Sequence, residues 1–454
     1  MLKLPLIFFT LIQFHGVSEG KSWISNLSTF DTSAKSIYKT LRTTIHIHSL
    51  FSHDACDSEP IKKGIPNIKC LLSFRKALCD NHEDVVFLTE HRNSMAFTDF
   101  NQLLNPQPGD QLIYDGNYII GSIQNCEDGH QVRVYPGSEN NLMTLGLLHH
   151  PEIINQDLEH TYNEGSPKAV DNFRQSGALV AINHPEKRTL ENIQKLHPDL
   201  LEIYNLHANI EDVIRENKFG KAFLELMRLI NFFSNPLQES DLSFLSFFRE
   251  NSGYLKKWSQ LVIHQKLPGI LALDCHENAL KLPMHDGKRI DSYRRTSRWL
   301  SNFIRIKNDE IDRGHILKSL HDGLSYSGFE IFGSPYGFIF EAIDNDGITY
   351  EMGDSINFNK FKRLNLEVNL NINEIFRMYS KIPPYEIQIF KASESGWLKV
   401  GSAHEFPYFF EVKEPGVYRS EIRIIPSHLK NLIPLSPFLI HQYPWIYSNP
   451  IYIL

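Results

Sequence analysis

His46 and His48 flank a single isoleucine in the run Thr43-Thr-Ile-His-Ile-His48. On an extended strand, residues two apart face the same side, so both imidazoles can reach one ion. Asp274 and His276 repeat that spacing, with Cys275 between them pointing away. His53 and Asp54 follow the first pair in a turn, and His91, Glu139 and His184 each close an apolar run. Imidazole and carboxylate together suit zinc, iron or manganese. These are more ligands than one four-coordinate ion takes. Two or three divalent ions are therefore expected, with a carboxylate such as Glu139 bridging.

Six short apolar, β-branched runs must position these groups: 43–48, 85–91, 133–139, 178–184, 200–205 and 270–276. Runs of this length bounded by turn signals read as buried strands. Helical patterns at 68–81, 167–176 and 190–196 lie between several of them. Alternating strand and helix predicts a parallel sheet or barrel, whose reactive residues sit at strand C-terminal ends. Residues 207–265 interrupt the alternation and read as a helical insertion with its own apolar face. It either packs on the barrel or covers its mouth. Beyond about residue 330, alternating segments at 361–370, 385–391, 397–402, 408–412 and 417–425 predict a C-terminal β-sandwich over 336–454. Its aromatics, Trp397, Tyr408, Phe409, Phe410, Tyr418, Trp445 and Tyr447, read as sandwich core.

The chain has 454 residues with 42% hydrophobic and 22% charged side chains, a globular composition long enough for two or three domains. Its net charge of −7 and lack of a basic block exclude general nucleic-acid binding. A small anionic substrate at a local site stays compatible with that charge. Lys3 precedes an apolar run from Leu4 to Phe14, and Gly16 and Ser18 follow with signal-peptidase spacing. Residues 1–18 therefore read as a secretory signal, which implies a secreted or periplasmic protein. No later stretch reads as a transmembrane segment. The five cysteines (56, 70, 79, 126 and 275) form no CxxC pair. An oxidising compartment permits one or two disulfides of unspecified pairing, with at least one thiol left over.

The ordered motifs HIHSLFSHDA (46–55), LTEH (88–91), PGSE (136–139), INHP (182–185), EIYN (202–205) and ALDCH (272–276) resemble those of the PHP (polymerase and histidinol phosphatase) family. The resemblance spans roughly residues 40–330. It implies a distorted β/α barrel, over 38–332, that binds two or three metal ions and hydrolyses phosphoesters. By resemblance, His46, His48, Glu139 and Asp274 hold one ion and Glu139 and His184 a second. Asp54 or His53, with His91 and His276, would hold a third. Three departures stand out. The family's TDH is Thr89-Glu90-His91 here. Met143 and Thr144 stand where the family often has a histidine, so His149 or His150 replaces it or a ligand is missing. Both His53 and Asp54 are offered where one ligand is expected.

The implied reaction is attack of metal-bound hydroxide on a phosphate ester, since bound cations can bring the pKa of water to about 7. Glu139, Asp274 and His276 would act in it, and Arg92 would grip a phosphate oxygen. The basic loop Lys281–Arg298 is a second anion grip or a solvated face. Glu202 and Asn205 are candidates to orient ligands. Two other readings compete: hydrolysis of a non-phosphate bond at the same metals, and a non-catalytic secreted binding protein with structural metal.

Overall fold

In a computed structural model of the chain, the described residues are 38–62, 65–215, 232, 235–279, 281–307 and 311–454. The expected signal segment 1–18 and most of the apolar stretch 221–233 lie outside them. The chain is mixed α/β, dominated by strands in several sheets, one of them thirteen-stranded.

Lys39–Ile47 runs through the middle of that large sheet, parallel to Val85–Leu88 and antiparallel to Ser301–Ile306. Val85–Leu88 is parallel in turn to Gln131–Tyr135. All four residues of Val85–Leu88 are buried, which is why that stretch is apolar without alternation. A five-stranded sheet follows the order Gly269–Ala272, Leu200–Asn205, Leu179–Ile182, Met143–Leu145, Gly137–Glu139. Its first three members run parallel. The helices expected between strands form at Ile68–Asp80, Pro167–Gln175 and Leu190–Leu196. The side chains of Asn67, Ser166 and Thr189 cap them by accepting from backbone N–H groups one turn on.

The run 133–139 is not the single strand expected. Pro136, which lacks an N–H, splits it into Gln131–Tyr135 in the large sheet and Gly137–Glu139 in the smaller one. Gly137 sits so close to its neighbours that an added methyl would lie 2.2 Å from the Thr144 carbonyl oxygen and 2.6 Å from that of Leu88. Glycine alone fits there.

The two sheets are hydrogen-bonded to each other at their strand ends. Asp274 N–H donates to His46 O (2.8 Å) and His48 N–H to Cys275 O (3.0 Å). On the other flank, Glu90 N–H donates to Gly137 O (3.2 Å) and Glu139 N–H to Glu90 O (3.0 Å). The C-terminal ends of strands from both sheets thus converge.

In the expected insertion, helices form at Leu206–Arg215 and Ser252–Val262. Past residue 330, strands form at Leu364–Asn369, Tyr385–Lys391, Leu398–Ala403, Tyr408–Glu411 and Gly416–Ile424, close to the segments read from alternation. Ile339–Asp344, Thr349–Glu351, Leu364–Asn369 and Tyr408–Glu411 make a four-stranded sheet. The large sheet continues across residue 332, because Ser325–Gly328 pairs with Tyr443–Ser448. Trp445, Tyr447 and Tyr418 are buried, whereas Phe409 is 52% exposed. No helix among the described residues is long and apolar enough to cross a membrane.

Cys56 pairs with Cys70 and Cys79 with Cys126, and Cys275 is the buried free thiol. The first disulfide ties the loop after His53 and Asp54 to the Ile68–Asp80 helix.

Glu83 lies fully buried near the Arg42–Glu330 ion pair (2.6 Å). Burial pushes its carboxyl from 4.5 up to about 8, with Glu330 adding to the rise and Arg42 opposing it. The unfolded chain ionises this group near the ordinary value, so between about pH 5 and pH 8 the folded state holds the extra proton. Stability from this group is therefore full at low pH and falls as pH rises through that window. Glu83→Gln removes the slope: Tm rises at pH 8 and stays nearly unchanged at pH 5, as read by thermal unfolding at both pH values.

Candidate metal centre

His46, Asp274 and His184 share a backbone signature: all three have positive φ, at 63°, 55° and 45°. Non-glycine residues rarely adopt this region, and each such residue costs about 1–3 kcal/mol unless its surroundings hold it. At His46 the ladder to Val85–Leu88 shifts register, so the strand bulges between Ile45 and Ile47. His46 and His48 still share a side, but through the bulge and not through strand alternation. Their ring centroids lie 5.4 Å apart. Cys275 turns away as expected, its Sγ 2.8 Å from Thr296 Oγ1.

Asp274 is the hub. Its Oδ1 lies 3.5 Å from His46 Nε2, 3.7 Å from His48 Nε2 and 3.6 Å from His276 Nδ1. Its Oδ2 lies 3.4 Å from His184 Nε2. Glu139 bridges outward, with Oε1 3.4 Å from His184 Nε2 and 3.8 Å from His46 Nε2, and Oε2 3.2 Å from His91 Nδ1. Asp54 Oδ2 completes the far side, 3.3 Å from His91 Nε2 and 3.4 Å from His276 Nε2. His48 and His276 stack with centroids 3.8 Å apart. Of the two turn residues, Asp54 reaches the cluster with its carboxylate, whereas exposed His53 only lies beside the His91 ring at 5.3 Å.

Three overlapping groups have the spacing of a metal site: His46/His48/Asp274, His46/Glu139/His184 and His48/His91/His276. Donors on one tetrahedral ion with bonds of about 2.1 Å stand about 3.4 Å apart, close to the separations above. The imidazoles are also oriented for ligation. His46 Nδ1–H donates to Glu202 (2.5 Å), and His48 Nδ1–H donates to Ser52 Oγ (2.9 Å). Both Nε2 atoms are left buried without a hydrogen-bond partner. Buried polar atoms normally have one, and a neutral imidazole tethered through Nδ1 offers its Nε2 lone pair to a cation. These residues could hold a metal ion.

Supporting residues set this geometry. Glu202 also accepts from His184 N–H (2.9 Å) and Asn205 Nδ2 (3.3 Å). Glu90, in the place of the expected aspartate, accepts from Ser52 Oγ (2.6 Å) and Ser49 N–H (3.0 Å). It thereby reaches His48 through Ser52. Glu90→Ala removes that brace, and affinity for zinc or manganese is expected to fall about tenfold, measured by chelator competition, with the fold retained by circular dichroism.

Electrostatics follow the packing. Burial pushes the Asp274 and Glu139 carboxyls up, but the surrounding histidines outweigh it, and both lie well below the usual carboxylate range. Burial pulls His91 down, yet Asp54 and Glu139 overcome this and push it up to about 11. Asp274, Glu139 and Glu186 likewise raise His184 against burial. Burial, with His276, His91 and His46 nearby, drives His48 well down.

Some expected residues lie elsewhere. His149 Nδ1 faces the His150 carbonyl, and His150 is engaged by Tyr162 Oη and the Thr98 carbonyl, so neither replaces a ligand. Thr144 Oγ1 instead braces Ser138, and Met143 is core. Arg92 Nε faces Glu159 at 3.4 Å. In the basic loop, Arg294, Arg295 and Arg298 converge on buried Asp241 at 3.5, 3.2 and 3.8 Å. These arginines face an internal carboxylate, and Arg294 and Arg298 also line a cavity of about 750 Å³. His207, not singled out from the sequence, lies 3.2 Å from Asp274 Oδ2 through Nδ1. The signal was its place two residues past Asn205, just beyond a strand end.

A cavity of about 580 Å³ opens beside Glu139 and His184, with Asn140, Asn183, Lys187, Arg188 and Asn192 among its walls. Lys257 fixes the loop carrying these cations through the carbonyls of Pro185 (2.6 Å) and Arg188 (2.7 Å). Comparison with known proteins finds no match: no family model fits the chain, and no curated protein and no solved structure matches it.

Proposed function

We propose that the chain is a metal-dependent hydrolase of the PHP type, a phosphoesterase working with two or three divalent ions of zinc, manganese or iron. The observation that carries this reading is the pair of buried, unpartnered Nε2 atoms of His46 and His48 facing Asp274. His46, His48, Glu139, Asp274 and His184 would hold ions on one side, and Asp54, His91 and His276 on the other. Such ions supply water activated for attack near neutral pH and charge neutralisation on the phosphate.

The chain's own groups do the rest. Glu202 and Ser52 tether His46 and His48 through Nδ1, so each ring turns its Nε2 toward Asp274. The carboxylates draw protons onto His46, His91 and His184, which cation binding must displace. His276, stacked on His48, shields one wall. Arg92, beside His91, is a phosphate contact once it leaves Glu159. The strand-end hydrogen bonds joining the two sheets support a distorted barrel as the scaffold. The four-stranded sheet and its neighbours over 336–454 support a β-sandwich appendage. Two disulfides accord with export through the signal segment 1–18.

The test is turnover of p-nitrophenyl phosphate and bis(p-nitrophenyl) phosphate by protein loaded with zinc, manganese or iron(II), beside p-nitrophenyl acetate. Phosphate-ester hydrolysis that chelator abolishes and metal restores is the expected result. Acetate hydrolysis alone would move the reading to another bond, and no turnover with bound metal would move it to a binding protein.

A further inference from the structure

The cavity beside Glu139 and His184 has an unusual wall. Apart from the His184 ring, none of its lining side chains is aliphatic or aromatic. A lipid chain needs a continuous apolar wall, which this cavity does not have. It offers amides, the Thr189 hydroxyl and two cations, Lys187 and Arg188.

Neither cation has an ion-pair partner among the described residues. Arg188 Nη1 donates to Asn192 Oδ1 (2.8 Å) and Nη2 to the Asn141 carbonyl, both neutral acceptors. Burial lowers its pKa, and no carboxylate offsets that effect. Lys187 is exposed at the same wall and has no ion-pair partner among the described residues. The Asn192 and Asn141 bonds and the Lys257 clamp hold the guanidinium in place. A fixed, partly desolvated cation facing a polar cavity is suited to a charge-assisted hydrogen bond with an anion.

We propose that Lys187 and Arg188 bind a second anionic group of the substrate, which is a small polar phosphate ester with a carboxylate or phosphate at its other end. This rests on the hydrolase reading for the placement of the reacting phosphate at the Glu139–His184 end. Cavities of this size hold small molecules whole, and the asparagines and Thr189 suit hydroxyls between the two anions.

Isothermal titration separates the possibilities. Zinc-loaded and zinc-free protein are each titrated with phosphoglycolate (phosphate and carboxylate), propane-1,3-diol bisphosphate (two phosphates) and propyl phosphate (one anion). The two esters with a second anionic group are expected to bind about 10–100-fold more tightly than propyl phosphate. The better of the two identifies the second anion. Lys187→Ala, at an exposed position, and Arg188→Gln are each expected to cut that preference about tenfold, with propyl phosphate affinity unchanged. Equal binding of all three esters, or a preference that survives both substitutions, overturns the proposal. Hydrolysis of these esters is followed in parallel. A preference without hydrolysis upholds the anion site and sinks the hydrolase reading; hydrolysis without a preference does the reverse.

Discussion

Asp274→Asn is expected to lower metal-dependent hydrolysis about a thousandfold. The carboxylate lies 3.4–3.7 Å from nitrogens of His46, His48, His184 and His276, so its replacement strips one shared donor from the whole cluster. Metal-borne charge stabilisation in such sites is worth several kcal/mol, and each 1.36 kcal/mol is a factor of ten in rate. A loss of about 4 kcal/mol gives the stated effect. Asparagine keeps the shape and one acceptor oxygen, so the fold should survive. Equilibrium dialysis should show lower metal stoichiometry, and added metal should not restore the rate. A variant that keeps full stoichiometry and near-normal turnover would remove Asp274 from the centre.

Glu202→Ala should have the largest effect on the protein itself. Glu202 is fully buried and joins the His46 ring, the His184 backbone and Asn205. Removing one partner of a buried charged network costs roughly 3–5 kcal/mol, because the remaining groups are left unpaired. It also frees both His46 and the strained turn at His184, so metal affinity should fall about 10–100-fold. Urea unfolding and chelator competition read the two effects separately. Glu202→Gln keeps the volume but places an amide N–H against a donor, so it should recover most of the stability and little of the affinity. Stability loss with unchanged metal affinity would reduce Glu202 to a packing role.

Much of this cluster was legible because its histidines and carboxylates close apolar runs. Strand ends at His91, Glu139, His184 and Asp274 could be read from short buried segments, and the helices between them from their helical patterns. The pairing of His46 with His48 was reached by strand alternation, yet a bulge and a positive φ at His46 produce it. Alternation carries no signal for that bulge, since the residue types on either side are the same. His207 was missed because it lies beyond the run, at an exposed position in the first turn of the helix Leu206–Arg215. Thr144 took the place read as a missing ligand, and His149 and His150 turned to local carbonyl and hydroxyl partners. Such choices depend on which partner the fold brings nearest, which the residue types alone do not state. The same holds for the large sheet, where Ser325–Gly328 meets Tyr443–Ser448 across more than a hundred residues.

The most direct test is a crystal of the protein soaked with zinc or manganese, with anomalous difference maps collected at the metal edge. Two or three peaks are expected, with at least one about 2.0–2.2 Å from the Nε2 atom of His46 or His48 and another beside His91 and His276. Peaks confined to surface histidines such as His160 or His315, with the His46, His48 and Asp274 donors unligated, would contradict the account.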